Sequence, residues 1–365
     1  MSNASTKTMI TAYRKTAPKT LFLTGMFQAP SVNFYKTEFV EIDIERGGED
    51  IAIVITDPST GARMNADDLY TNKQFKAPAY DEAITLNSWD LVKRSPGDNP
   101  FGNLDYRMSI IARILKGAQK VQAKISRSVE LNAAQVLQTG TITLSDSSGT
   151  ALYTLSFSPK ATHFPQVSTS WSAAGALPLN DLDALGEIIR DDGQEDPDQI
   201  IMGKTALRYF LANAQVQTHY DNRRIDKGTV SPMENRGEGG KYHGTVEIGN
   251  YLYDLWSYGG RYKDPNGGTI TQYMDTNKVV VRSSTGRLDA TFGAVPNIGR
   301  ELGLSGADLI PGLPGRISDG GGVMDMFPHA WLSADGRQLF ASAASRPLLI
   351  PTAIDTFGCL NTVAP

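Results

Sequence analysis

The sequence is poor in the residues from which active sites are usually assembled. It has a single cysteine, Cys359, which excludes an intrachain disulfide and any multi-thiolate metal site within one chain. That thiol reads as a small buried hydrophobe. The four histidines, His163, His219, His243 and His329, are scattered without metal-ligand spacing. Positive charge is not in excess: the formal net charge is -4, which argues against a domain that grips nucleic acid through a basic surface. No apolar run approaches the roughly 18 to 20 residues that span a bilayer, so no membrane contact is expected. The opening stretch MSNASTKTMITAYRKTAPKT is polar, with no apolar core before a small-residue cleavage site. No secretory signal is expected, and synthesis in the cytoplasm follows.

Catalytic motifs are equally scarce. Gly303-Leu304-Ser305-Gly306 resembles only part of a nucleophile elbow and reads as a loop. Arg236-Gly237-Glu238-Gly239-Gly240-Lys241 has glycines and a lysine but neither the spacing of a phosphate-binding loop nor its following Ser or Thr. The acidic run Asp191 to Asp198 does not match a calcium-binding loop. It reads as an exposed turn after a helix, with a cation site or an acid/base pair as alternatives. Tyr251 to Tyr258 interleaves aromatics with β alternation, which reads as a packed strand face, the alternative being a platform for a sugar or a base. No catalytic residue, metal ligand or cofactor is expected, and no repeat of 20 to 50 residues is visible.

What is present is an ordinary globular composition, 40% hydrophobic and 20% charged over 365 residues, enough chain for two or three domains and a sizeable core. Residues 1 to about 30 are rich in Thr, Ser and Lys and read as an arm. Val40, Ile42 and Ile44 then alternate with Glu41, Asp43 and Glu45, a half-buried strand. Arg46 to Asp50 offers a turn, after which Ile51, Ile53 and Ile55 resume the alternation, so a β-hairpin is expected. A lone hairpin is only marginally stable in water, and no local partner for its apolar face is evident. Residues 57 to 81 read as loop, and Ala83 to Leu91 as a third strand of the same extension.

The strongest helix signal runs from Asp105 to Gln138. Met108, Ile111, Leu115, Ala118, Val121, Ile125, Val129 and Ala133 recur at steps of three and four, with Lys116, Lys120, Lys124 and Arg127 on the other side. At 1.5 Å per residue this makes a spine of about 50 Å. A hairpin over Thr141–Leu144 and Leu152–Leu155 follows, then mixed α and β: helices over 180–190, capped by Asn180, and over 204–214, and strands over 199–202, 245–258 and 278–282. Long loops with short helices are expected over 286–322, and Arg346 to Pro351 gives a last apolar strand.

This order of parts is similar to the Hong Kong 97-type capsid fold of tailed phages, and the wording resembles the lambda E-type major head protein family. Met26-Phe27, Phe34-Tyr35 and Lys36-Thr37-Glu38-Phe39-Val40 resemble the family's paired aromatics leading into a strand. Phe101 to Arg107 resembles the entry to its spine, and Lys204 to Phe210 with Asp221-Asn222-Arg223-Arg224 a helix followed by Asp-x-Arg-Arg. Ala344 to Pro351 resembles its terminal strand.

The resemblance implies an α+β capsid fold in five parts: an arm over 1–37, an extended loop over 38–98, a peripheral domain with the spine over 99–177, an axial domain over 178–345, and a C-terminal strand over 346–365 returning to the peripheral domain. It implies a non-enzymatic head protein of a tailed double-stranded DNA phage, located in the virion and assembled in the host bacterial cytoplasm. The implied partners are further copies, in hexamers and pentamers of an icosahedral shell, with a scaffold, a portal, a decoration protein and DNA held without sequence specificity. Val40, Ile42, Ile44, Ile51, Ile53 and Ile55 become contacts between subunits. The alternatives are an encapsulin-like nanocompartment shell and, from another class, a β-rich carbohydrate-active enzyme or binding module.

Overall fold

The computed structural model describes residues 21–28, 35, 39–44, 71–87, 106–145, 150–221, 239–264, 268–293, 295, 327–333 and 337–365. Its centre is a five-stranded sheet. Strand β6 (Gln199–Met202) lies in the middle, with β11 (Lys278–Arg282) and then β16 (Phe357–Asn361) on one side, and β8 (Tyr251–Tyr258) and then β7 (Gly240–Ile248) on the other. β6 runs parallel to β8 and antiparallel to β11. A small hairpin of β9 (Arg261–Lys263) and β10 (Ile270–Gln272) follows β8.

The middle strands of the central sheet are buried on both faces, as their sequences require. Ile200, Ile201 and Met202 are consecutive and fully buried, as are Val279, Val280 and Val281 to within 1%; strands covered on both sides read as continuous apolar runs. Alternation distributes them between two cores. Ile200, Met202, Tyr253, Leu255, Val279, Val281 and Leu360 enter one, with Leu182, Leu185 and Ile189 of helix α2 (Pro178–Gly193), Ala206 and Phe210 of α3 (Lys204–Ala212), and Val216 of α4 (Ala214–Asp221). Ile201, Tyr258, Val280, Phe357 and Cys359 enter the other, with Ala133, Ala134, Val136 and Leu137 of the spine helix α1 (Tyr106–Thr139).

The spine lies where its periodicity places it. Val121, Ile125 and Ala133 are buried, while Lys116, Lys120, Lys124 and Arg127 are exposed. Gly140, at φ 63°, ends it: its amide closes back on the Val136 carbonyl at 2.7 Å, a left-handed stop that suits glycine. The chain turns directly into the hairpin of β4 (Thr141–Ser145) and β5 (Ala151–Ser156), as expected.

Several expectations need correction. The strand paired with β1 (Phe39–Ile44) is β2 (Thr71–Lys76), in a stretch that reads as loop; Ile51, Ile53 and Ile55 lie outside the described residues. The pairing sets Phe75 opposite Val40, so two apolar residues enter the core together. β3 (Tyr80–Asn87) is not a third strand of that ribbon. It pairs with β14 (Gln338–Ser345), which also pairs with β13 (Phe327–Leu332), and this three-stranded sheet packs on the spine through Ile84, Ala343, Val121 and Ile125.

Helix α2 starts at Pro178, so Asn180 is inside it and caps nothing; proline fits the first turn, where an amide would be unpaired anyway. The stretch 245–258 is two strands, β7 and β8, joined at a turn. The C-terminal segment divides. β15 (Pro347–Ile350) pairs with β12 (Asp289–Phe292), but the chain continues into β16, an edge strand of the central sheet. The stretch 296–326 lies outside the described residues.

Removing one branched side chain from the doubly buried strand tests this arrangement. Ile201→Ala is expected to cost about 3 kcal/mol in urea unfolding, the range for a large-to-small change in a sealed core. A cost below about 1 kcal/mol would contradict burial of the face that the spine covers.

Candidate functional site

The points that hold the ribbon and the N-terminal segment to the body are the candidates for a functional role. The ribbon β1–β2 forms a two-stranded sheet of its own, and it is rooted at one point. Val40 is fully buried and Phe75 nearly so, both within the core that the spine lines. The Phe75 ring lies 5.0 Å from that of Phe157, and Arg346 donates to the Ala77 carbonyl at 3.1 Å just past the ribbon. Of the residues expected to contact a neighbour, Val40 is thus already buried inside its own subunit. Ile42 and Ile44 lie farther along β1, opposite Lys73 and Thr71.

A second root is one that sequence reasoning missed. Glu130, in the C-terminal half of the spine, is fully buried. Its Oε1 accepts from the Leu23 amide at 2.9 Å and the Tyr258 hydroxyl at 2.5 Å. Its Oε2 accepts from the Thr24 amide at 2.8 Å and the Thr24 hydroxyl at 2.6 Å. A buried carboxylate is tolerated when hydrogen bonds replace its water. The available signal was one acid within the apolar stretch Val129 to Ala134.

The acidic run from Asp191 to Asp198 resolves into separate structural ties. Asp192 takes Lys160 at 2.7 Å and the Nε2 of buried His163 at 2.9 Å, while His163 Nδ1 meets the Phe357 carbonyl at 2.9 Å. Burial pushes the Asp192 carboxyl up, but the hydrogen bonds and charges of Lys160 and His163 outweigh it and hold it below the usual carboxylate range. Lys160 also reaches Asp355 at 3.5 Å. Asp196 pairs with Arg190 at 3.1 Å, Glu195 accepts from Thr285 at 2.8 Å, and Asp198 accepts from the Ser284 amide at 2.7 Å and from its hydroxyl. These bonds fasten the end of α2 to the C-terminal strand and to the loop after β11.

The aromatic strand is not an exposed platform. Tyr253 and Tyr258 are buried on opposite faces of the sheet, and burial, with the nearby Tyr251 and Asp183, pushes the Tyr253 phenol far up. Leu252, at 64% exposure, is its one strongly exposed apolar side chain. Cys359 is sealed in the core, and burial raises its thiol to about 12. Among the described residues no group of three or more His, Cys, Asp or Glu side chains converges as a metal site would. A shallow cavity of about 400 Å³ is lined by Leu179, Asp183, Gln215, His219, Glu247 and Gly249, among others.

The architecture is that of phage capsid proteins. The putative capsid protein of a prophage of E. coli CFT073 superposes with a TM-score of 0.65 at 14% identity, covering 98% of each chain. A phage-related protein from Bordetella bronchiseptica RB50 superposes at 0.50 and 9% identity, covering 98% of this chain and 97% of that one. The capsid of Ralstonia phage GP4 is similar at 0.46 and 10%, covering 94% and 85%. No curated protein matches in sequence. The family model described as phage major capsid protein E matches residues 5–358, and the chain belongs to that family. It is therefore a phage major capsid protein with the Hong Kong 97-type fold, a structural component of the virion shell. The family match decides against the nanocompartment and carbohydrate-active alternatives.

Asp192→Asn is expected to lower stability at pH 7 by about 1 kcal/mol, since a charge-assisted tie is lost at a partly exposed site. A carboxyl held low contributes above its unfolded value of 3.8 and loses that contribution as pH falls through its lower folded value. Urea titrations of wild type and variant should therefore differ at pH 7 and converge in strong acid; a pH-independent difference would contradict the role of the charge.

Proposed function

We propose that copies of this chain assemble, through hexamers and pentamers, into the icosahedral head of a tailed phage, closing around double-stranded DNA in the cytoplasm of a bacterial host. The observation that carries this reading is the ribbon β1–β2. It is rooted in the body at Val40 and Phe75, yet among the described strands it pairs only with itself. A two-stranded ribbon is marginal alone in water, and the surface of a neighbouring copy is the partner that repeated assembly supplies. In this reading the part of residues 38–98 beyond the Val40–Phe75 root reaches across a neighbour while β3 stays on its own spine, 99–177 form the peripheral domain, joined by β13 and β14, and the rest of 178–345 gathers about the capsomer centre.

Ile42 and Ile44, with Ile51, Ile53 and Ile55, carry the contact between subunits, while Val40 holds the ribbon to its own body. The net charge of -4 accords with DNA confined by the wall rather than gripped by it. Scaffold, portal and decoration proteins would complete the set of partners. The role is mechanical, with stability summed over repeated interfaces and no catalysis.

The test is the double variant Ile42→Asp with Ile44→Asp, purified beside wild type and followed by size-exclusion chromatography and negative-stain microscopy. Wild type should give capsomers or shells. The variant should stay a folded, unassembled subunit with its thermal transition within a few degrees of wild type. A variant that still closes shells, or that unfolds the isolated subunit, would sink the intersubunit reading of the ribbon.

A further inference from the structure

The segment Leu21–Gln28 is only eight residues long, but it touches the spine, the central sheet and β12. Leu23 and Phe27 are buried in the core beneath the central sheet. Phe22 lies against two aromatics of β8, with ring centroids 5.5 Å from Trp256 and 5.4 Å from Tyr258. A Cβ at Gly240, where β7 begins, would collide with the Phe22 ring, so that glycine is what leaves room for it. At the far end Gln28 bridges to β12, donating to the Leu288 carbonyl at 2.8 Å and accepting from the Ala290 amide at 2.6 Å. Between these contacts sits the carboxylate of Glu130.

Three of the four donors to Glu130 belong to this segment: the amides of Leu23 and Thr24 and the Thr24 hydroxyl. The fourth, Tyr258, belongs to the sheet. If the segment lifts, a fully buried carboxylate keeps one donor of the four, and the interior does not tolerate that without water entering. The contacts around Glu130 therefore break and form together rather than one at a time, which is what makes an element two-state.

We infer that Leu21–Gln28 is a latch whose catch is the Glu130 carboxylate, tying this segment in one register to the spine helix and the central sheet. The inference concerns the single subunit and stands whether or not the ribbon reaches a neighbour. The energetic asymmetry is specific. Phe22, Leu23 and Phe27 would hold the segment to any apolar groove, whereas the carboxylate, together with the Gln28 bridge to β12, sets its register, because backbone amides of two consecutive residues must face two oxygens of one side chain.

Hydrogen exchange read by mass spectrometry on the full chain tests it, with Glu130→Gln and Thr24→Val beside wild type. The glutamine side chain of the first variant would present an amide N–H₂ to groups that are themselves donors. The expected result is exchange of the Leu23 and Thr24 amides at least ~10-fold faster, the loss of one charge-assisted bond, with the amides of β6 and β11 unchanged, and a smaller increase in Thr24→Val. Unchanged exchange over residues 21–28 would overturn the latch, and so would loosening of this segment and the sheet in equal measure. Should Glu130→Gln not fold, Thr24→Val, which removes a single hydroxyl, decides between the same outcomes.

Discussion

The constraint on which this subunit depends is that the middle strands of its central sheet are buried on both faces. A strand such as Ile200-Ile201-Met202 cannot leave either side to water, so the chain must build two separate cores to cover it. Helices α2, α3 and α4 cover one face. The other is covered by a composite: the C-terminal half of the spine, the β4–β5 hairpin, β12 and β15, the latch segment and the root of the ribbon. Parts far apart in sequence are thus forced together beneath one surface.

The ribbon, the N-terminal segment and the C-terminal strand are attached by different physical means. The ribbon enters the core through an apolar plug, Val40 facing Phe75 with Phe157 against it, which is strong but tolerant of small rotations. The N-terminal segment is held by apolar contacts and, in addition, by directional bonds to Glu130, which fix both position and register. The C-terminal strand β16 is tied from the side by the His163 ring and, through Asp192, by Lys160. A capsid subunit has to present several contact surfaces at fixed angles to its neighbours, and polar ties of this kind fix angles that apolar burial alone leaves soft.

Much of this was legible in the sequence where burial is periodic or continuous. The spine was readable because thirty-odd residues without proline sustain one apolar stripe, and its observed limits differ from the expected ones by one residue at each end. The strands at Gln199 and Lys278 were readable because doubly buried strands are uninterrupted apolar runs. What escaped was burial of segments with too few large apolar side chains to leave a pattern. β2 reads Thr-Asn-Lys-Gln-Phe-Lys, with Phe75 its only apolar side chain, and β16 contains a glycine and a lone cysteine. β14 is built largely of alanine and serine, and its pairing with β3 joins segments from opposite ends of the chain, a relation no local periodicity encodes. Glu130 was invisible for a related reason: an acid on a long helix looks solvated until the partners folded against it are known. The resemblance to a capsid family carried the overall order of parts, and the order of the described elements agrees with it.

The dependence of the projections on a preformed body is most directly tested by comparing hydrogen exchange in dilute, unassembled subunits and in assembled particles. The amides of β6 and β11 should be protected to the same degree in both, because the two cores that cover them lie within one chain. Those of β1 and β2 beyond the Val40–Phe75 root should gain protection on assembly. Free exchange of the β6 and β11 amides until particles form would contradict the account, since the sheet would then owe its burial to neighbours.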